Sequence, residues 1–255
     1  MTSFINFNLK EKHEKGFTLL ELLIVIAIIA ILSIALVFML NPAETLKKAR
    51  DAQRISDLKS VKTALGIILT ASSTPSLDGY GSVCLTSTTP AGVTTANASA
   101  KISYSYDGTV ACTGVGPTAG IDAAGGTAAF GPSGSWCRNG VAGSVSKVDG
   151  TGWIPVNLKA LTGGTPISSY PVDPVNMVSA TTPNASDLVY RYACQNGTSA
   201  TVGSGKPAYI FEINAVFESN AYTSEDNKMS KDGGDNNGMY ESGNSLYLLP
   251  ASGAF

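Results

Sequence analysis

The stretch "KGFTLLELLIVIAIIAILSIALVFML", residues 15–40, decides the architecture. From Phe17 to Leu40 its only charged side chain is Glu21, and a helix of that length covers roughly 36 Å, enough to cross a bilayer. The apolar run is too long for the core of an ordinary secretory signal, and no A-x-A-like site follows it. Lys10, Lys12 and Lys15 precede it, so the positive-inside rule places the amino terminus in the cytoplasm and everything after about Asn41 outside. A carboxylate in hydrocarbon costs about 2.5–3.5 kcal/mol at a helix centre and less near an end. Glu21 therefore reads as a functional group with a partner, not as part of a plain anchor.

The rest of the composition narrows the function. Only 14% of the 255 residues are charged and the net charge is −2. The basic residues gather before position 63, which leaves no broad cationic face for nucleic acid. Four cysteines, Cys84, Cys112, Cys137 and Cys194, are widely spaced and contain no CxxC pair, which argues against zinc or thioredoxin-like chemistry. Downstream of a membrane segment they suggest two disulfides in an oxidising compartment, with three possible connectivities. Cys84 with Cys112, leaving Cys137 with Cys194, is the pairing expected here.

"KGFTLLELLIVIAIIAIL" resembles the amino-terminal signature of type IV pilins and type II secretion pseudopilins. The resemblance implies that residues 1–16 are a leader, removed by a membrane aspartic peptidase between Gly16 and Phe17 on the cytoplasmic side. The same enzyme would methylate the new Phe17 amino group. It also implies the partner of Glu21, namely the Phe17 amine of a neighbouring subunit. Pairing opposite charges in a low dielectric, where either alone is penalised, would both drive assembly and fix axial register. Loss of the leader removes His13, the one histidine. A mature chain without histidine has no Ser-His-Asp or Cys-His relay, and no paired acids are placed by a readable motif, so an enzyme is not expected.

The expected fold class is α+β: a long amino-terminal helix, half membrane-spanning and half amphipathic, packed on an antiparallel β-sheet domain with a large Gly/Ser/Thr-rich loop. Residues 17–40 form the membrane and filament-core helix, and 41–73 continue it past a kink at Pro42, which lacks an amide hydrogen. Ile55, Leu58, Val61, Leu65 and Ile68 recur at helical spacing as one apolar stripe, with Glu44–Lys48 and Asp51–Arg54 as neighbour pairs on the polar side. Those charges read either as a solvated face or, with Lys47 and Arg50, as contacts between subunits. Ser-Ser-Thr-Pro ends the helix between Thr70 and Pro75.

Residues 74–152 form a variable loop region, in which "KISYSYDGTVACTGV" predicts a hairpin about Asp107-Gly108. Residues 153–255 form the sheet domain, with Trp153, Ile154 and Leu158 as core anchors and strands at 188–194, 208–219 and 244–250. Its "YPVDPVN" segment, residues 170–176, is similar to one in the major type II secretion pseudopilin. Glu225, Asp226, Asp232, Asp235, Asn236 and Asn237 crowd the last loop. Two readings stand for them: turn chemistry, or a calcium site of the kind major pseudopilins carry in a comparable loop. Sequons at Asn97, Asn184 and Asn196 arise readily by chance in such a composition.

The function that follows from the resemblance is a structural subunit polymerising through its amino-terminal helix into a type IV pilus or type II secretion pseudopilus. Its partners would be copies of itself and other pilins, the prepilin peptidase/methylase, an inner-membrane assembly platform and the membrane. It would wait as a single-pass cytoplasmic-membrane protein and end on the cell surface. A minor tip pilin or a membrane-anchored adhesion module is the alternative.

Overall fold

A computed structural model describes residues 16–79, 83–85, 100–110, 118–120, 127–129, 137–139, 143–179, 182–196 and 209–251. The chain divides into two compact units, Met1–Thr45 and Leu46–Phe255.

The first unit is dominated by α1, Leu19–Leu40, a 22-residue helix with no buried residue. Beyond Leu40 the chain does not merely kink. Asn41 adopts a left-handed conformation, φ 39° and ψ 72°, which asparagine tolerates better than most residues, and α2 (Pro42–Ala71) starts immediately after it. The Asn41 carbonyl accepts the amides of Glu44 and Thr45, at 3.1 and 3.2 Å, so Asn41 ends one helix and opens the next. Proline is well placed at the first position of a helix, where its missing amide hydrogen would have had no partner.

The second unit is built around the sheet. Its strands in chain order are β1 (Ile102–Tyr104), β2 (Thr118–Gly120), β3 (Thr127–Ala129), β4 (Cys137–Asn139), β5 (Arg191–Gln195), β6 (Ile210–Ala215) and β7 (Tyr240–Gly243). Five of them form one sheet in the order β4-β1-β5-β6-β7, and β2 and β3 form a separate antiparallel pair. The sheet is antiparallel except at its edge, where β4 runs parallel to β1. Leu58, Val61, Leu65 and Ile68 of the apolar stripe on α2 are buried as expected, with Ala64 added, while Ile55 is half-buried. They join Tyr192 and Cys194 of β5 and Phe211, Ile213 and Ala215 of β6 in one core cluster. Trp153, Ile154 and Leu158 are fully buried in the same cluster. A second cluster holds Ile102, Tyr104, Ala193, Ile210, Met239, Leu248 and Leu249. Because alternate residues of a strand face opposite ways, β5 and β6 are buried on both sides.

Two expectations fail here for identifiable reasons. The returning strand of the hairpin expected about Asp107-Gly108 lies mostly outside the described residues; among those described, β1 has β4 on one edge and β5 on the other. The last strand is Tyr240–Gly243 and not 244–250. The chain turns away at Asn244, whose side-chain Oδ1 accepts the Phe211 amide at 2.7 Å, while the amides of Leu248 and Leu249 donate to the Glu212 carboxylate instead of to a neighbouring strand. Gly243 has no room for a side chain, since a Cβ there would lie 2.2 Å from the Phe211 carbonyl oxygen.

The disulfide pairing is also different. Cys84 bonds to Cys194, with Cα atoms 4.6 Å apart, not to Cys112. Backbone pairing brings them together: the Leu85 amide donates to the Cys194 carbonyl at 2.7 Å, and the Asn196 amide to the Leu85 carbonyl at 3.2 Å. Residues 83–85 thus run beside the end of β5 that β1 does not cover. Cys137 is buried and disulfide-bonded; Cys112 lies outside the described residues. The Cys84–Cys194 bond spans 110 residues, so replacing both with alanine should lower stability by about 2–5 kcal/mol. Urea unfolding of the full chain in detergent measures this, and an unchanged midpoint would contradict the pairing's constraining role.

Candidate assembly site

The amino-terminal site rests on one turn of backbone. Thr18 is extended and caps α1, accepting the Glu21 amide on its hydroxyl at 3.2 Å. Glu21 returns the bond: its Oε2 accepts the Thr18 amide and the Thr18 hydroxyl, both at 2.9 Å. This reciprocal capping box satisfies donors at the helix start that otherwise have no partner. Phe17 just before it is 80% exposed, and a Cβ at Gly16 would meet no atom within 4 Å. Gly16 and Phe17 thus pack against no other described residue, and the Glu21 carboxylate lies in the first turn behind them. Along the rest of α1 the large apolar side chains are exposed throughout, from Leu19 to Leu40.

Past the membrane-length helix the charges do something the sequence did not announce. Asp51 and Arg54 are both 0% exposed, so they lie neither on a solvated face nor at an exposed subunit contact. Arg54 makes a two-pronged ion pair with Asp173, Nε to Oδ2 at 2.7 Å and Nη2 to Oδ1 at 2.8 Å. Its Nη1 donates to Asp51 and to Glu218, each at 2.7 Å. Arg50 holds Glu218 from the other side with two further bonds of 2.8 Å. Asp51 in turn accepts the amides of Glu218 and Ser219. Burial alone would lower the Arg54 pKa, but Asp173 and the other carboxylates outweigh it and raise it. Glu218 is held down to about 2, chiefly by its bonds to Arg50.

Asp173 and Glu218 were not legible as partners. Asp173 sits between Val172 and Pro174 in the "YPVDPVN" segment, where its Oδ1 also accepts the amides of Val175 and Asn176. The only hint was an acid held among prolines in a core-anchoring segment.

The acidic loop does not gather its carboxylates at one point. Among the described residues, no three His, Cys, Asp or Glu side chains are placed to share a metal ion. Asp226 pairs with Lys228 and Lys231. Asp232 accepts the amides of Gly234 and Glu241, at 2.9 and 2.7 Å. Asn236 accepts the Gly238 amide and donates to the Pro250 carbonyl. Glu225 closes a short π-helical turn, Ala221–Glu225, and Asp235 leaves Oδ1 buried without a partner. Asp232 and Asn236 thus fix nearby backbone, as turn residues do.

A family model for the prokaryotic N-terminal methylation motif matches residues 12–37. The chain therefore carries the signal motif of type IV pilins and pseudopilins, and the match ends before α1 does. No curated protein and no solved structure matches the chain.

Arg54→Ala should lower stability by about 3–5 kcal/mol, because Asp51 and Asp173 lose their bonded cation in a dry site while Glu218 keeps only Arg50; chemical denaturation of the full chain measures it. Acid should act through Glu218. Its folded pKa lies below the ordinary glutamate value of 4.5, so its contribution is complete above that value and is lost as pH falls toward about 2. Stability of Glu218→Gln should consequently vary less with pH in that window than that of the parent protein.

Proposed function

We propose that the chain is a structural subunit that polymerises through α1 into an extracytoplasmic filament of the type IV pilus or type II secretion pseudopilus class. The observation that carries this reading is a membrane-length helix, mean hydropathy 3.3, with a single acid in its first turn, both falling within a matched methylation motif over residues 12–37. Such a surface can be covered by lipid or by other helices of the same kind, and only the second use gives the acid a purpose.

The sequence of events follows from charge. Peptidase cleavage between Gly16 and Phe17 creates an amine where the intact chain has a peptide bond, and removes Lys10, Lys12 and Lys15, which could not enter a dry core. Methylation leaves that amine protonatable. Within the fibre, Glu21 exchanges its bonds to Thr18 for the Phe17 ammonium of a neighbour, and the pair is shielded from water and salt. Because the two charges sit at fixed heights on their helices, the pairing sets how far one subunit is displaced along the axis from the next. The peptidase/methylase, an inner-membrane assembly platform and further pilin-like chains are the partners this route requires. The role is architectural and calls for no catalytic group.

Glu21→Ala should reduce incorporation into filaments at least a hundredfold, the consequence of losing about 3–5 kcal/mol per contact when one partner of a buried pair is removed. Immunogold labelling of sheared fibres reads it, and normal incorporation would sink the subunit reading in favour of a tethered surface module. Mass spectrometry of the mature protein should find methylated Phe17 at the amino terminus; any other start contradicts the cleavage assignment.

A further inference from the structure

At the β4 edge of the sheet two cations stand as neighbours on one face. Arg138 on β4 lies opposite Ser103 of β1, and Lys101 immediately precedes β1, its amide donating to the Val83 carbonyl at 2.9 Å. Alternate residues of a strand face the same way, so Lys101, Ser103 and Arg138 share the face on which Tyr192 joins the α2 core cluster. Like charges so placed repel.

Neither cation is matched within the chain. A guanidinium has five N–H donors; in Arg138, Nη1 donates to the Trp153 carbonyl at 2.8 Å and Nη2 to that of Gly152 at 3.0 Å, which leaves Nε and one hydrogen on each Nη. Burial lowers the Arg138 pKa, and no carboxylate acts on it to offset this. Arg54 is the contrasting case, its burial outweighed by the acids bonded to it. The ion pairs among the described residues do not include Lys101.

Both cations line a depression of about 460 Å³, a size typical of small-ligand sites. Gly79 and Gly150 line it at positive φ, 62° and 92°, so the backbone turns there without a side chain to fill the space. Val83 and Pro155 supply apolar surface, and Asp78 and Asp149 supply acid. The acids are fixed in place. Asp78 Oδ1 accepts the Ser76 hydroxyl at 3.0 Å and the Asn196 side-chain amide at 2.8 Å. Asp149 Oδ1 accepts the Thr151 amide and hydroxyl at 3.1 and 2.6 Å, bonds that lower its pKa. An ionised carboxylate has about four acceptor sites, so both acids can take further donors.

This mixture of charges selects a ligand. A bare phosphate or a DNA backbone would suit the cations but would face two carboxylates with no hydrogens to offer them. A neutral sugar would leave both cations unmatched. A sugar bearing a carboxylate meets every group: the carboxylate takes the Arg138 fork and the Lys101 ammonium, the hydroxyls donate to Asp78 and Asp149, and a C–H face lies against Val83 and Pro155. A second depression, of about 400 Å³, shares Gly79 and is lined by Ser72, Thr74, Ser76 and Asn157, neutral hydrogen-bonding groups suited to a further sugar ring.

We propose that Lys101, Arg138, Asp78 and Asp149 form a binding site for a hexuronic acid residue, free or within an acidic polysaccharide. The site lies in the Leu46–Phe255 unit and does not depend on polymerisation through α1.

The test uses the full chain in a detergent without a sugar headgroup, with chelator present, and follows binding by saturation-transfer NMR. The probes are galacturonic acid, trigalacturonate, the methyl ester of trigalacturonate, inorganic phosphate and diglycine. Trigalacturonate should bind saturably below about 10 mM and about tenfold more tightly than its uncharged ester. Arg138→Gln, which keeps a donor for the Trp153 carbonyl, should reduce affinity for the acid to that for the ester. Lys101→Gln should weaken it in the same direction with an unchanged melting temperature, which guards against a folding defect in the first variant. Absence of saturable binding, equal affinity for acid and ester, or unchanged affinity in both variants overturns the site. Phosphate binding as tightly as trigalacturonate reveals an unselective anion site, and diglycine doing so reveals a zwitterion site; each overturns the ligand class. Equal affinity for monomer and trimer supports the site with a free sugar acid as its ligand, whereas about tenfold tighter binding of the trimer supports it with a polysaccharide that reaches the second depression.

Discussion

The guanidinium of Arg54 is the constraint around which the Leu46–Phe255 unit is arranged. A fully buried cation is tolerated only when its donors are met by charge and geometry together, and four bonds of 2.7–2.8 Å to three carboxylates do so. Those acids come from three parts of the chain: Asp51 from α2, Asp173 from the proline-rich segment and Glu218 from the end of β6. Placing Arg54 therefore places all three segments. Tyr190 adds a parallel tie, its hydroxyl donating to Asp57 on the same helix at 2.7 Å. The apolar stripe alone would let α2 slide along the sheet with little change in buried area. The planar fork of Arg54 would not, because it matches a carboxylate in only one orientation.

That network also explains why Asp51 and Arg54 are poor candidates for gluing subunits together. Both are fully buried and bonded within the chain, and exchanging those bonds for contacts with a neighbour would first have to break a dry network, whereas Arg50 is a third exposed. Any recognition between subunits is left to α1, with no buried residue, and to whichever outer surfaces remain free. Charge thus has separate uses on the two helices: fixing α2 on the sheet near residues 50–54, and one acid in the first turn of α1.

What could be read from sequence was what depends on near neighbours. The membrane-length helix, the break beside Pro42, the apolar stripe of α2 and the helix end near Ala71 all follow from spacings of one to four residues. The core anchors Trp153, Ile154 and Leu158 were visible as bulky groups in a tight segment. The rest required distant pairing. Cys84 meets Cys194 because residues 83–85 dock beside β5, and Arg54 meets Asp173 across 119 positions. The last strand was displaced because "NSLYLLP" looks extended by composition, yet two of its amides belong to Glu212. Glu212 itself stood inside "IFEINA" as an ordinary alternating polar residue; only the second core cluster on that face turned it inward.

The chain's acids illustrate the three ways a carboxylate can exist away from water, and each leaves a different physical signature. Asp173 and Glu218 are matched by cations, which hold the Glu218 carboxyl well below its ordinary range. Asp232 is matched by backbone amides at 2.7 and 2.9 Å, so its role is to shape a loop. Glu212 and Glu241 are buried as diagonal neighbours on the sheet, and burial pushes both above the usual carboxylate range. In the proposed filament Glu21 would join the first class. In the single chain it occupies the second, held by the Thr18 amide and hydroxyl, a capping interaction worth about 1 kcal/mol. That is enough to orient the side chain and less than the about 3–5 kcal/mol lost when one partner of a buried pair is removed. The cap would therefore keep Glu21 in place without outcompeting a neighbour's ammonium, and the same acid would serve the helix before the proposed assembly and the fibre after it.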